Sequence, residues 1–216
     1  MYLPPHFHED DLGAQHDLIR SHPLGLIVCA SQGALEANHI PFVLDRQVGA
    51  HGTLRCHVAR ANPVWCVLQS ADECLVVFQG PQVYITPSWY PTKRETGRVV
   101  PTWNYTAVHC WGRPQVIEDA AWLRAQIDAL TSQQEAARRD PWAVSDAPEP
   151  YVAVQIRGIV GIEIPIARIE GKWKVSQNRT AADQAGVVAG LREEGGSSES
   201  SAALVAARSR EQEGQP

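Results

Sequence analysis

Residues 76–111, VVFQGPQVYITPSWYPTKRETGRVVPTWNYTAVHCW, constrain this chain more than any other stretch. They bring Trp89, Trp103 and Trp111 together with Tyr84, Tyr90 and Tyr105 in β-branched surroundings. β-Branched and aromatic side chains suit a pleated, half-buried surface. Val76-Val77-Phe78, Val83-Tyr84-Ile85, Val99-Val100 and residues 105–111 therefore read as strand. Gly80-Pro81 is expected to break the first run and Pro87 to end regular pairing. A polar loop with Lys93, Arg94 and Arg98 lies between.

Such a segment sets flat aromatic faces, hydroxyls (Thr86, Ser88, Thr92, Thr102) and cations within a few residues of one another. A planar, phosphorylated ligand needs these groups: aromatics cover its ring, hydroxyls and amides fix its edges, and cations hold its phosphate. Core aromatics beside a solvated cationic loop would have the same composition, so both readings stand at this point. A second constellation runs from Gly171 to Arg179, where Lys172, Lys174 and Arg179 surround Trp173, Ser176, Gln177 and Asn178.

The rest of the chain supplies the frame. Asp10 or Asp11 can cap a short helix carrying Leu12, His16 and Ile19. Residues 24–30 and 35–44 read as strands about a turn at Ser31-Gln32-Gly33, the second interrupted by Pro41. His39 could be a core histidine or face a ligand. Residues 53–58, 65–69 and 75–78 read as further strands. Arg60 stands where a strand gives way to a turn, and unpaired backbone N–H groups at such places bind anions. A guanidinium there can complete a phosphate site or pair with a surface carboxylate. Asp119 opens the longest helical pattern, with Leu123, Ile127 and Leu130 on one stripe. Residues 151–156 and 159–168 read as β, and Asp183 can cap a last helix through Leu191. Residues 192–216 are rich in Ser, Gly, Glu and Ala without aromatics, and read as a disordered polar tail with a transient helix at 202–208. The domain proper is then 1–191. Strand-like segments with a few helices point to a mainly β (α+β) fold, a closed or split barrel with peripheral helices.

The 216 residues suffice for one core with a tail, and a net charge of −5 argues against a broad nucleic-acid-binding face. No apolar run approaches the ~20 residues of a membrane span, and the first residues lack a signal peptide's pattern. Five cysteines without CxxC spacing read as reduced thiols, and hence a cytoplasmic protein. His6 and His8 lack a third ligand in view, so no metal site is expected.

PQVYITPSWY followed by VPTWNYTAVHCWG resembles the signature of the PaiB-like family of FMN-binding negative transcriptional regulators. MYLPPHF, HIPFVLD with LRCHVARANPVW, and GKWKVSQNRTAADQAGVVAGL resemble three further blocks of that family, in the same order. The resemblance covers roughly residues 1–191. It implies an FMN-binding split β-barrel, a homodimer with flavin at the subunit interface, and a repressive role. On that footing the expected FMN contacts are Arg60, Ser88, Lys93, Lys174, Gln177 and Arg179, with Trp103 and Tyr105 near the ring. DNA is the less supported partner, because the charge is acidic and no helix-turn-helix pair is apparent.

Neither a GxGxxG nor a GxxxxGK[ST] motif occurs, so Rossmann and P-loop nucleotide sites are excluded. No GxSxG elbow is present. Two alternatives to a flavin-binding regulator remain open. A flavin-dependent oxidoreductase of the pyridoxamine-phosphate-oxidase-like class would leave little extra trace, since the cofactor carries the redox chemistry. His57 or His109 would then be the titrating group near the flavin, and the catalytic residues stay unassigned. A haem-binding or haem-degrading split barrel needs an axial histidine, and none stands out.

Overall fold

The computed structural model describes residues 1–31 and 33–213. Its strands are β1 (His8–Glu9), β2 (Leu24–Ser31), β3 (Ala34–Pro41), β4 (Val43–Asp45), β5 (Thr53–Ala59), β6 (Cys74–Ile85), β7 (Thr102–Gly112), β8 (Gln115–Ile117), β9 (Ile159–Pro165) and β10 (Arg168–Lys174). Its α-helices are α1 (Leu12–Ser21), α2 (Val64–Ser70), α3 (Pro91–Thr96), α4 (Ala120–Glu135), α5 (Glu149–Arg157), α6 (Ala181–Glu194) and α7 (Ser198–Glu213). Every strand pairing with a determined register is antiparallel.

Two compact units share these elements. The first gathers Met1–Asp11, Gln79–Val108 and Glu170–Pro216; the second gathers Leu12–Phe78 and His109–Ile169. In the second unit β2 pairs with β3 from Leu24↔Pro41 to Ser31↔Ala34, and with the start of β6 through Ile27↔Val76. A four-stranded sheet in the order β4-β5-β9-β8 completes it. Ile27, Leu54, Val76, Phe78, Ile162 and Ile164 are buried there, inward positions of alternating strands. Burial pushes the Cys56, Cys74 and Cys110 thiols up, so these cysteines are protonated core groups rather than nucleophiles. In the first unit β10 holds β1 through His8↔Lys172 and Glu9↔Gly171, and β7 lies on its other side.

Capping explains where the long helices begin. The Asp119 carboxylate accepts from the Trp122 N–H at 2.8 Å, and the Thr180 hydroxyl accepts from the Asp183 N–H at 3.2 Å. The first start is the one expected at Asp119; the second lies at Thr180 rather than at the expected cap Asp183, whose own N–H is the group being capped.

Several expectations change. Residues 65–69 form helix α2 rather than a strand: the Asn62 side chain accepts from the Val64 N–H at 3.0 Å, ahead of an apolar run too short to fix its own period. Residues 151–156 form α5, because Pro148 and Pro150 set its first turn and Val152 and Ile156 share one buried face four residues apart. Gly80-Pro81 does not interrupt β6, since proline's fixed φ is compatible with extended backbone. The polar loop contains α3, started by Pro91 and ended by Gly97 at φ 68°, and β7 begins only at Thr102.

The tail differs most. Residues 198–213, expected to be disordered apart from a transient helix at 202–208, form α7, which packs along α6 with Ala202 and Val205 buried. A stripe of alanine and valine is apolar enough to dock and too small to register in composition. The Ser31–Gly33 turn includes Gln32, which lies outside the described residues, as do 214–216 of the tail. Among the described residues no helix is long and apolar enough to cross a membrane.

Candidate functional site

The richest polar constellation lies in the first unit, where β10 ends and the chain turns into α6. Lys174 is the last residue of β10, and Ser176 follows at φ 67°, a left-handed conformation unusual for a residue with a side chain. That turn sets Lys174, Ser176, Asn178 and Arg179 around a cleft of about 100 Å3, whose remaining lining is Phe7 and the β7 residues Thr102 and Asn104. No carboxylate lines it.

Each group is held. The Lys174 ammonium donates to the Thr102 hydroxyl at 2.5 Å and to the Trp103 carbonyl, leaving one of its three N–H bonds uncommitted. Burial, then the neighbouring cations Lys172 and Arg179, hold Lys174 below the usual lysine range. Cations at a cleft lined by no carboxylate gain from an arriving anion. Arg179 stacks over the Tyr90 ring at 4.8 Å. Gln184 of α6 donates to the carbonyls of Ser176 and Arg179, both at 3.2 Å, and so fixes the turn.

Asn104 is the telling member. It is 2% exposed; its amide nitrogen donates to the Ser176 hydroxyl at 2.9 Å, and its amide oxygen has no partner. A buried polar atom without a bond is costly. Because the Ser176 hydroxyl can donate as well as accept, either orientation of the Asn104 amide keeps that bond. The lining thus offers two cations, amide nitrogen and hydroxyls, the donor set of a phosphate site.

A glycine pair fixes α6 beside this region. A Cβ at Gly190 would stand 2.3 Å from the Trp89 ring, and one at Gly186 2.0 Å from the Trp89 carbonyl oxygen. Only glycine lets the helix approach so closely.

The expected site residues divide. Lys174 and Arg179 line the cleft. Gln177 turns back on its own strand, accepting from the Val175 N–H at 2.8 Å and donating to the Trp173 carbonyl at 2.5 Å. Lys93 donates to the Ser88 hydroxyl at 3.1 Å, a pair bridging the segment 87–93 outside the cleft lining. Trp103 is 54% exposed and meets Tyr84 edge-to-face at 6.1 Å, while Tyr105 carries the Lys172 ammonium 5.4 Å from its ring. Arg60 lies in the second unit. Its guanidinium pairs with Glu118 at 2.6 Å and donates to the carbonyls of Arg157 and Ile159. Of its two readings, pairing with a surface carboxylate is the one the structure displays. Sequence reasoning missed Asn104 and Phe7. The available signal was a polar residue at a buried register position of β7.

The second unit has a different concavity. Between α4 and α5 runs a groove of about 400 Å3, with Ile127, Val144 and Val152 within and Trp142 and Tyr151 exposed at its edge. His57 of β5 reaches it, with a buried Nδ1 that has no partner, and burial holds its pKa below the usual histidine value.

A family described as "Putative FMN-binding domain" matches residues 1–168. "Protease synthase and sporulation protein PAI 2" of Bacillus subtilis is 31% identical over 194 residues, covering 90% of each chain. An uncharacterized protein of Emericella nidulans is 37% identical over 226 residues, 88% of this chain and 90% of its own. Among solved structures, the FAD and haem binding protein from Mycobacterium smegmatis matches with a TM-score of 0.57 at 18% identity, over 77% of this chain and 73% of that one. At that identity the likeness speaks for the fold alone. The class expected from the sequence is the class found, antiparallel sheets of the flavin-binding split-barrel type with peripheral helices. Neither sheet closes into a barrel among the described residues.

Proposed function

This chain belongs to the PaiB-like family of FMN-binding-domain proteins, and from that premise we propose that it binds FMN by its phosphate in the first-unit cleft and acts as a homodimeric regulatory protein. The observation that carries the binding reading is the convergence of Lys174, Arg179 and the half-satisfied Asn104 on a cleft without a carboxylate.

The cleft's volume decides how much of the ligand it takes. About 100 Å3 falls well below the ~300 Å3 at which pockets for whole small molecules begin. It suits the phosphate end, and the flavin ring must lie outside it. Trp103 and Tyr84, both substantially exposed, offer an aromatic surface for that ring, and a second copy of the chain would cover what they leave. When bound, the flavin supplies redox chemistry. The chain's own residues bind and orient: Lys174 and Arg179 hold the phosphate, and Asn104 with Ser176 fixes its hydrogen bonds.

The regulatory role rests on the family. The net charge of −5 leaves any DNA contact to a local patch, so regulation through the flavin or a partner protein is the form proposed. Gel filtration of the purified protein with added FMN tests the reading. A flavin band co-eluting at twice the chain mass is expected. Loss of all flavin from the protein peak would contradict it, and rapid bleaching by NADPH would move the assignment to an oxidoreductase.

A further inference from the structure

Two adjacent residues of α7, a helix beyond the residues matched by the family, bond to side chains that hold the segments on either side of the cleft. The first is Arg208. Its guanidinium pairs with Glu9, which is buried, and with Glu211 at 2.8 Å. Glu9 also accepts from the Asp11 N–H at 3.0 Å, and it is the β1 residue registered against Gly171 of β10. Two residues before it stands Phe7, which lines the cleft with its ring 5.9 Å from the Lys174 ammonium. Arg208 therefore holds the short strand that follows directly on Phe7.

The second is Ser209. Its hydroxyl stands 2.5 Å from the Gln184 side-chain oxygen and 2.9 Å from the Val205 carbonyl, with one proton for the two acceptors and the shorter contact to Gln184. The nitrogen of the same amide donates to the carbonyls of Ser176 and Arg179. Ser209 thus sets the orientation of the amide that clamps the turn on the other wall, the turn that holds Ser176 at positive φ. A two-residue strand and a strained turn are weak structures alone. Each is tied to α7 by a polar bond, and α7 is kept in place by the burial of Ala202 and Val205.

We propose that α7 is a brace that positions both walls of the first-unit cleft, so that Arg208 and Ser209 raise its affinity for a phosphate-bearing ligand without touching that ligand. The affinity part rests on the phosphate reading above; the brace itself can be read without ligand. Docking of α7 then controls the cleft, and anything that lifts the helix, whether a partner or a modification of Ser209, releases the ligand. Arg208 and Ser209 are positioning residues, since neither lines the cleft.

The test uses the full chain. Amide hydrogen exchange is followed in wild type, Arg208→Ala, Arg208→Lys, Ser209→Ala and Lys174→Ala, with FMN fluorescence titrations on each. Arg208→Ala should speed exchange around residues 7–9 and Ser209→Ala around 177–180, with the second unit unchanged as a control for folding. Each should weaken FMN binding by about fivefold to tenfold, the lower range of coupling between linked sites. Arg208→Lys, which keeps the charge, should recover part of the loss. Lys174→Ala should weaken FMN while leaving exchange at residues 7–9 as in wild type. Unchanged exchange and affinity in both α7 variants, with Lys174→Ala still impaired, would overturn the brace. Faster exchange in the α7 variants with no FMN binding by wild type would preserve the brace and overturn the phosphate reading.

Discussion

The first-unit cleft and the second-unit groove between α4 and α5 are built on opposite principles. The first-unit cleft is small, cationic and assembled from a strand end, a strained turn and an orphaned amide. The second-unit groove is about four times as large, apolar and aromatic, with a histidine whose pKa burial lowers. Burial lowers the pKa of both Lys174 and His57, yet its meaning differs. At Lys174 it adds to repulsion from neighbouring cations that an arriving anion relieves. At His57 no counter-charge is called for, and the groove favours uncharged, planar matter. Charge without a partner marks the ligand end that must be held, and aromatic surface marks what can only be covered.

Substitutions should separate the two regions, beginning with the most severe. Gly190→Ala drives a methyl into the Trp89 ring and should cost about 3 kcal/mol of stability by overpacking, read as a fall in the thermal midpoint. FMN affinity should fall with it, because α6 carries Gln184. Lys174→Ala and Arg179→Ala should each weaken FMN by about tenfold or more, the scale of a charge-assisted bond to phosphate, with a smaller effect at high salt. His57→Leu should leave FMN binding intact and change the pH profile. Because burial lowers the folded-state pKa, the unfolded chain takes up the proton first, and stability is lost as pH falls below about 6.5. Chemical denaturation between pH 7 and 5 should show a flatter profile in the variant. Arg60→Ala is the mildest. Its pair with Glu118 is half-exposed, so the expected loss is under about 1 kcal/mol, and its FMN titration should change less than that of Lys174→Ala.

What could be read in the sequence follows the reach of each signal. The helix start at Asp119 and the strands of the second unit follow from local chemistry, the last helix was expected but from Asp183 rather than its true cap Thr180, and the motif at 171–179 located the cleft's cations. α2 and α5 were hidden because apolar runs of five or six residues have no distinguishable period, and the deciding Asn62 and Pro150 act from outside the run. α7 was hidden because its stabilisation is tertiary: alanines against α6, and Arg208 on a carboxylate nearly the whole chain away. The same limit explains Arg60 and Gln177. Each has the chemistry of a phosphate ligand, but which partner engages it depends on neighbours distant in sequence, Glu118 for one and a backward turn for the other.

FMN and riboflavin differ only by the phosphate, so paired titrations of wild type and the Lys174→Ala/Arg179→Ala double variant test the site most directly. In wild type FMN should bind at least about a hundredfold more tightly than riboflavin, two charge-assisted bonds' worth, and the double variant should lose most of that preference. Equal affinities for the two flavins in wild type, or a preference for FMN that survives in the double variant, would contradict a phosphate site at Lys174 and Arg179.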